Sequence, residues 1–271
     1  MKYLKLSILI IAISLGFASC TKTSSSDQAT SEDIRHADLA VSDVFTFSTS
    51  ETGGSKAMLS DTTSSDTTGM HTSVRYDSAS KCWITVINFN NFKPKDGIVR
   101  NGSITIKWQL GWFFDSTKTV VVTFNNFSRD SIKLSGEITI QHTFSVKENG
   151  TIHPGHKITE KNMKLTYPDG STMSWNGWRT VEWISGWLTR HDRTDNKLKI
   201  NWHKEGTNRN GVNFTADAKD LVIVGTCHKM PVSGTITVNS DKGNFVINYG
   251  DGQCDGSYTI TVNGKTTVVK P

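Results

Sequence analysis

From about Ser73 to the C-terminus, side chains alternate in polarity with a period of two, and Asn-Gly or Asp-Gly pairs interrupt the alternation again and again. Ser103-Ile104-Thr105-Ile106-Lys107-Trp108, Glu137-Ile138-Thr139-Ile140-Gln141, Lys197-Leu198-Lys199-Ile200-Asn201-Trp202 and Tyr258-Thr259-Ile260-Thr261-Val262 each place apolar groups on one face and polar groups on the other. That is the pattern of half-buried antiparallel strands, and it excludes long amphipathic helices from this part of the chain. Thr119–Phe124 and Leu221–Val224 are more continuously apolar. Asn101-Gly102, Asn149-Gly150, Asp169-Gly170, Asn176-Gly177, Asn210-Gly211, Asp251-Gly252, Asp255-Gly256 and Asn263-Gly264 accept the positive φ of tight turns and read as hairpins. The expected fold is all-β: an antiparallel meander of about a dozen strands forming a curved sheet, a sandwich or a barrel, with a short N-terminal helix.

Part of the sheet is repeated. Ile87-Asn88-Phe89-Asn90-Asn91-Phe92 returns as Val122-Thr123-Phe124-Asn125-Asn126-Phe127, and Gly102-Ser103-Ile104-Thr105-Ile106 as Gly136-Glu137-Ile138-Thr139-Ile140. Two good copies are too few for a solenoid and read as a duplicated hairpin pair within one sheet.

The N-terminus reads as an address. Basic Met1-Lys2-Tyr3-Leu4-Lys5 precedes an apolar run from Leu6 to Phe17, too short to span a bilayer and of signal-peptide length. Phe17-Ala18-Ser19-Cys20 resembles the lipobox of bacterial lipoproteins, which implies cleavage after residue 19 and acylation of Cys20. Thr21 in place of Asp favours the outer membrane or cell surface over inner-membrane retention. Residues 20–72 follow as a tether: Ser and Thr make up 21 of residues 21–70, too little apolar surface to offset ordering entropy. Within it, Ser31-Glu32-Asp33 ahead of Ile34, Ala37, Val41, Val44 and Phe45 predicts a short capped helix. The β-rich body spans 73–271.

Leu165-Thr166-Tyr167-Pro168-Asp169-Gly170-Ser171-Thr172-Met173-Ser174-Trp175, running into Trp178-Arg179-Thr180-Val181-Glu182-Trp183, resembles a recurring stretch in uncharacterised lipoproteins of the Bacteroidetes lineage. Gly206-Thr207-Asn208-Arg209-Asn210-Gly211 and Ile247-Asn248-Tyr249-Gly250-Asp251-Gly252-Gln253-Cys254-Asp255 fit the same group. The resemblance implies a fold of repeated β-hairpin units and a lineage; it implies no activity and no catalytic residue.

The remaining chemistry is sparse. In an exported chain Cys227 and Cys254 can bridge across a meander, with Cys82–Cys227 as the other pairing. His153-Pro154-Gly155-His156 reads as an exposed loop, since two histidines are too few for zinc; no metal or other cofactor is expected. Asp251 and Asp255 lack the spacing of a calcium loop and read as a turn. Trp175, Trp178, Trp183 and Trp187 read either as core or as a platform for a flat ligand such as a sugar; Trp178 and Trp183, an odd number apart, point to opposite faces. Arg179 is expected to stack or to pair with Glu182. Glu160 and Glu182 are candidate carboxylates for a glycan hydrolase, a chemistry that needs proximity in space and not in sequence. Without the leader, 28 Lys and Arg face 25 Asp and Glu, too mild an excess for nucleic acid. The expectation is a non-enzymatic binding or structural module, held to the membrane by lipid and meeting an envelope glycan or surface protein; a secreted glycan hydrolase is the alternative.

Overall fold

The computed structural model describes residues 25–52, 62–65, 69–94, 96–189, 194–227 and 231–270; the leader and Cys20 lie outside them. One helix, α1 (Ser25–Thr52), precedes fourteen strands: β1 (Thr62–Ser65), β2 (Met70–Asp77), β3 (Cys82–Phe92), β4 (Arg100–Trp108), β5 (Thr119–Arg129), β6 (Ile132–Val146), β7 (Ile152–Thr166), β8 (Thr172–Ser185), β9 (Lys197–Thr207), β10 (Asn213–Val224), β11 (Ser233–Ser240), β12 (Gly243–Asp251), β13 (Tyr258–Val262) and β14 (Lys265–Val269). They form a single sheet in sequence order, every neighbour antiparallel, and β1 does not pair with β14, so the sheet is curved and open. A 3-10 turn, Trp112–Phe114, sits between β4 and β5.

Recurrent β-bulges interrupt the ladder. The register shifts on β3 between Phe89 and Phe92, on β5 between Thr123 and Ser128, on β7 between Glu160 and Met163, and on β10 between Ala218 and Leu221. Each holds one residue in the left-handed region: Asn91, Asn126, Asn162 and Asp220, with φ of 48°, 50°, 50° and 52°. On one neighbouring strand an asparagine side chain caps the freed amide: Asn101 Oδ1 accepts from Asn91 N at 2.8 Å, Asn176 Oδ1 from Asn162 N at 2.7 Å, and Asn201 Oδ1 from Asp220 N at 2.7 Å. At the β5 bulge a glycine makes the close approach. A Cβ on Gly102 (φ +83°) would lie 2.2 Å from the Asn126 carbonyl oxygen. The repeat is therefore a repeat of bulges. Asn101-Gly102 and Asn176-Gly177, expected as hairpin turns, lie inside β4 and β8 and serve the bulges next to them. Bulges add local twist and bend, which lets this sheet curl.

What the sheet curls around is α1. Ala29, Thr30, Asp33, Ile34, Ala37, Ala40, Val41, Val44, Ser48 and Thr52 are buried, and the only exposed positions between 29 and 52 are Arg35, Ser42, Thr46 and Ser50, a single narrow stripe. The expected N-terminal helix is present, and it extends beyond the Ser31–Phe45 stretch that predicted it into more of the segment that read as tether. Its composition is poor for an isolated helix; burial against Ile87, Ile104, Val122, Ile140, Ile158, Val181 and Trp202 stabilises it. Its hydroxyls are absorbed internally: Thr46, Thr49 and Thr52 donate to the carbonyls of Ser42, Phe45 and Ser48.

Cys227 and Cys254 form the disulfide, 27 residues apart, joining the β10–β11 and β12–β13 connections. Closing such a loop stabilises by about 3.5 kcal/mol on chain entropy. Cys82 is a free, partly buried thiol.

Candidate functional site

Three aspartates of α1, five residues apart, meet the sheet. Each step of five turns the helix by about 140°, so they point in different directions, and the curled sheet answers each with cations from a different place: the β9–β10 connection, strands β8 and β9, and strands β4 and β5. Asp33 accepts from Tyr167 Oη at 2.6 Å and from Arg209 Nε at 2.6 Å and N at 2.8 Å. Asp38 accepts from Arg179 and from Lys204 Nζ at 2.9 Å. Asp43 Oδ2 accepts from Arg100 at 2.7 Å and Arg129 at 3.0 Å.

The middle clamp extends inward. Lys204 Nζ also reaches Glu160 Oε1 at 3.4 Å, and Trp175 Nε1 donates to Glu160 Oε2. Glu160, Gly177 and Lys204 stand side by side on β7, β8 and β9, and a Cβ on Gly177 would approach Lys204 Cγ to 3.3 Å. The tighter conflict is with the backbone: the same Cβ would lie 2.4 Å from the His203 carbonyl oxygen, so glycine permits the close approach of β8 and β9 at this point. Lys204 is 0% exposed, Glu160 1% and Arg179 5%. Burial alone would raise the Asp38 carboxyl, but Arg179 and Lys204 beside it hold it below the ordinary carboxylate range. Two carboxylates and two cations neutralise one another, with Glu160, Lys204 and Arg179 buried and Asp38 partly exposed at the helix surface. This arrangement holds a helix in place.

A second cluster lies where the C-terminal half of α1 meets β6–β8. His142 and His156 face each other across β6 and β7, ring centroids 5.4 Å apart. Phe45, Trp112, Phe113, Trp183 and Trp187 surround His156 at 4.8–6.2 Å. His156 is fully buried with neither ring nitrogen hydrogen-bonded, and burial, reinforced by His142, pushes its pKa down to about 3. Trp112 Nε1 donates to Thr52 Oγ1 at 3.1 Å, tying the end of α1 to the cluster. The His153–His156 segment is thus part of strand β7 and not an exposed loop: only His153 points outward, to Glu182 at 2.7 Å. Among the described residues no group of three or more His, Cys, Asp or Glu is placed to hold a metal ion.

The four tryptophans separate. Trp175 (2% exposed) and Trp183 (8%) are core, and Trp187 stacks on Phe113 at 5.3 Å with ring planes 4° apart. Trp178 alone lies on the convex face, 40% exposed. Its cross-strand neighbours are Thr159 and His203; beyond them the row continues to Thr139 on one side and to Asp217 and Thr237 on the other. His203 Nδ1 and Asp217 Oδ1 are 2.7 Å apart. Arg179 does not pair with Glu182. It points inward to Asp38, while Glu182 points outward to Lys147 at 2.5 Å and to His153. Glu160 and Glu182 therefore lie on opposite faces of the sheet.

The clamp residues carry a sequence signal. Glu160, Arg179 and Lys204 occupy the apolar parity of their strands, in step with Ile158, Val181 and Trp202. A charge at a core position demands a partner, and none of the strands supplies enough of them.

Comparison of the chain with protein families, with curated proteins and with solved structures finds no match.

Proposed function

We propose that the chain is a lipid-anchored binding module of the outer membrane or cell surface, held through Cys20, that meets an envelope glycan on its convex face around Trp178. The observation that supports this reading is the contrast between the two faces. The concave face is filled by α1, with its charges neutralised and its aromatics packed. The convex face carries an exposed indole in a row with Thr139, Thr159, His203, Asp217 and Thr237. A sugar ring stacks on an indole face, and its hydroxyls need short donors and acceptors at the spacing of adjacent strands, ~4.8 Å. No observation favours the hydrolase: Glu160 is neutralised in the core, and Glu182 is on the far side of the sheet.

Two measurements test this. Cys20→Ala should move the protein from the membrane fraction to the soluble one; a mutant retained in the membrane contradicts the anchor. The soluble body, titrated with envelope glycans in a calorimeter, should bind one of them, and Trp178→Ala should weaken that binding at least tenfold while leaving the melting temperature close to the parent's. Binding undisturbed by the substitution, or capture of a surface protein in place of any glycan, contradicts the assigned ligand.

A further inference from the structure

Resting on the lipid-anchor reading, we infer that α1 fixes how the body faces the bilayer: the end of the sheet bearing the β7–β8 and β9–β10 turns lies against the lipid headgroups, and the β6–β7 tip points away. The first turns of α1 are pinned at that end. Asn208 Nδ2 donates to Thr30 Oγ1 at 2.8 Å, the Arg209 backbone amide donates to Asp33 at 2.8 Å, and Tyr167 closes over the same carboxylate. Four residues separate Cys20 from the start of the helix at Ser25. Fully extended, the five peptide steps reach no more than about 18 Å. A free tether of the length expected from composition would reach about 40 Å and set no orientation. β7 has 15 residues and so carries the tip roughly 50 Å from the anchored end.

The chief force against this orientation is also visible. Of the nine exposed large apolar side chains among the described residues, six gather at the distal end: Leu110, Phe114, Phe144, Val146, Ile152 and Leu188. Free in solution such a tip would favour a bilayer. Held by α1, it is turned outward.

The acylated full-length protein in vesicles of brominated phosphatidylcholine tests the inference, in a Cys82→Ser background with a fluorophore on Asn210→Cys (β9–β10 turn) or Asn149→Cys (β6–β7 tip). Quenching at position 210 should exceed that at 149 at least threefold. Equal quenching, or stronger quenching at 149, overturns the orientation while leaving the anchor intact; failure to float with the vesicles removes both. Inserting twelve Gly/Ser residues between Cys20 and Ser25 should abolish the difference. Its persistence would show that the surface and not the pinned helix orients the body, which also overturns the inference.

Discussion

At the scale of single residues, the clamps decide how α1 sits. A buried ion pair adds little net stability, because desolvation cancels much of the Coulomb attraction. Removing one partner is different, since the other charge stays buried. Asp38→Asn leaves Arg179 and Lys204 facing one remaining carboxylate, and urea unfolding should show a loss of about 3–5 kcal/mol. A loss under 1 kcal/mol would mean that the two cations reach water. The caged imidazole gives a pH prediction. His156 has a lower pKa folded, about 3, than the ordinary value of 6.5. Between those values the unfolded chain binds a proton that the folded one does not, so stability falls as pH falls through that window, by up to about 1.4 kcal/mol per pH unit. His156→Phe should flatten this part of the stability–pH curve; an unchanged slope would assign acid lability to other groups. Both roles were half legible. Glu160, Arg179 and Lys204 stand out as charges at apolar positions of their strands, but the helix partner of Arg179 and Lys204, Asp38, is more than a hundred residues away and Glu160 pairs across the sheet with Lys204 and Trp175, and single-strand patterns carry no information on either pairing.

At the scale of elements, the strands were legible and the special backbone positions were misassigned. Period-two alternation reports which face a side chain takes, and the observed strands follow it. Asn-Gly marks a positive φ, and positive φ serves a bulge as well as a hairpin turn; Asn101-Gly102 and Asn149-Gly150 look alike in sequence, yet the first is a bulge partner and the second a hairpin tip. The distinction comes from the neighbouring strand: Asn126 crowds Gly102, and nothing lies within 4 Å of a Cβ on Gly150. Gly102→Ala should therefore destabilise by about 1–3 kcal/mol, whereas Gly150→Ala should cost less, the strain of φ alone. Equal midpoints in thermal melts would contradict the close approach. α1 is the reverse case. Ser and Thr argued for a tether because composition counts apolar area and ignores where it falls; Ile34, Ala37, Val41 and Val44 place it all on the side that faces the sheet.

At the scale of the whole molecule, a fourteen-stranded meander must cover its apolar face, and alternation cannot say with what. Closure, a second sheet and a helix all satisfy the same sequence pattern. Here the cover is α1, which occupies the concave face and leaves Trp178 exposed on the convex one; the proposed glycan site and the proposed orientation at the membrane both depend on it. Hydrogen exchange read by mass spectrometry tests that dependence most directly. Amides of residues 30–52 should be protected to the same extent as those of β6 to β8, with Asp38→Asn lowering both together. Exchange of that segment within seconds, beside a protected sheet, would return it to a free tether and leave the concave face open.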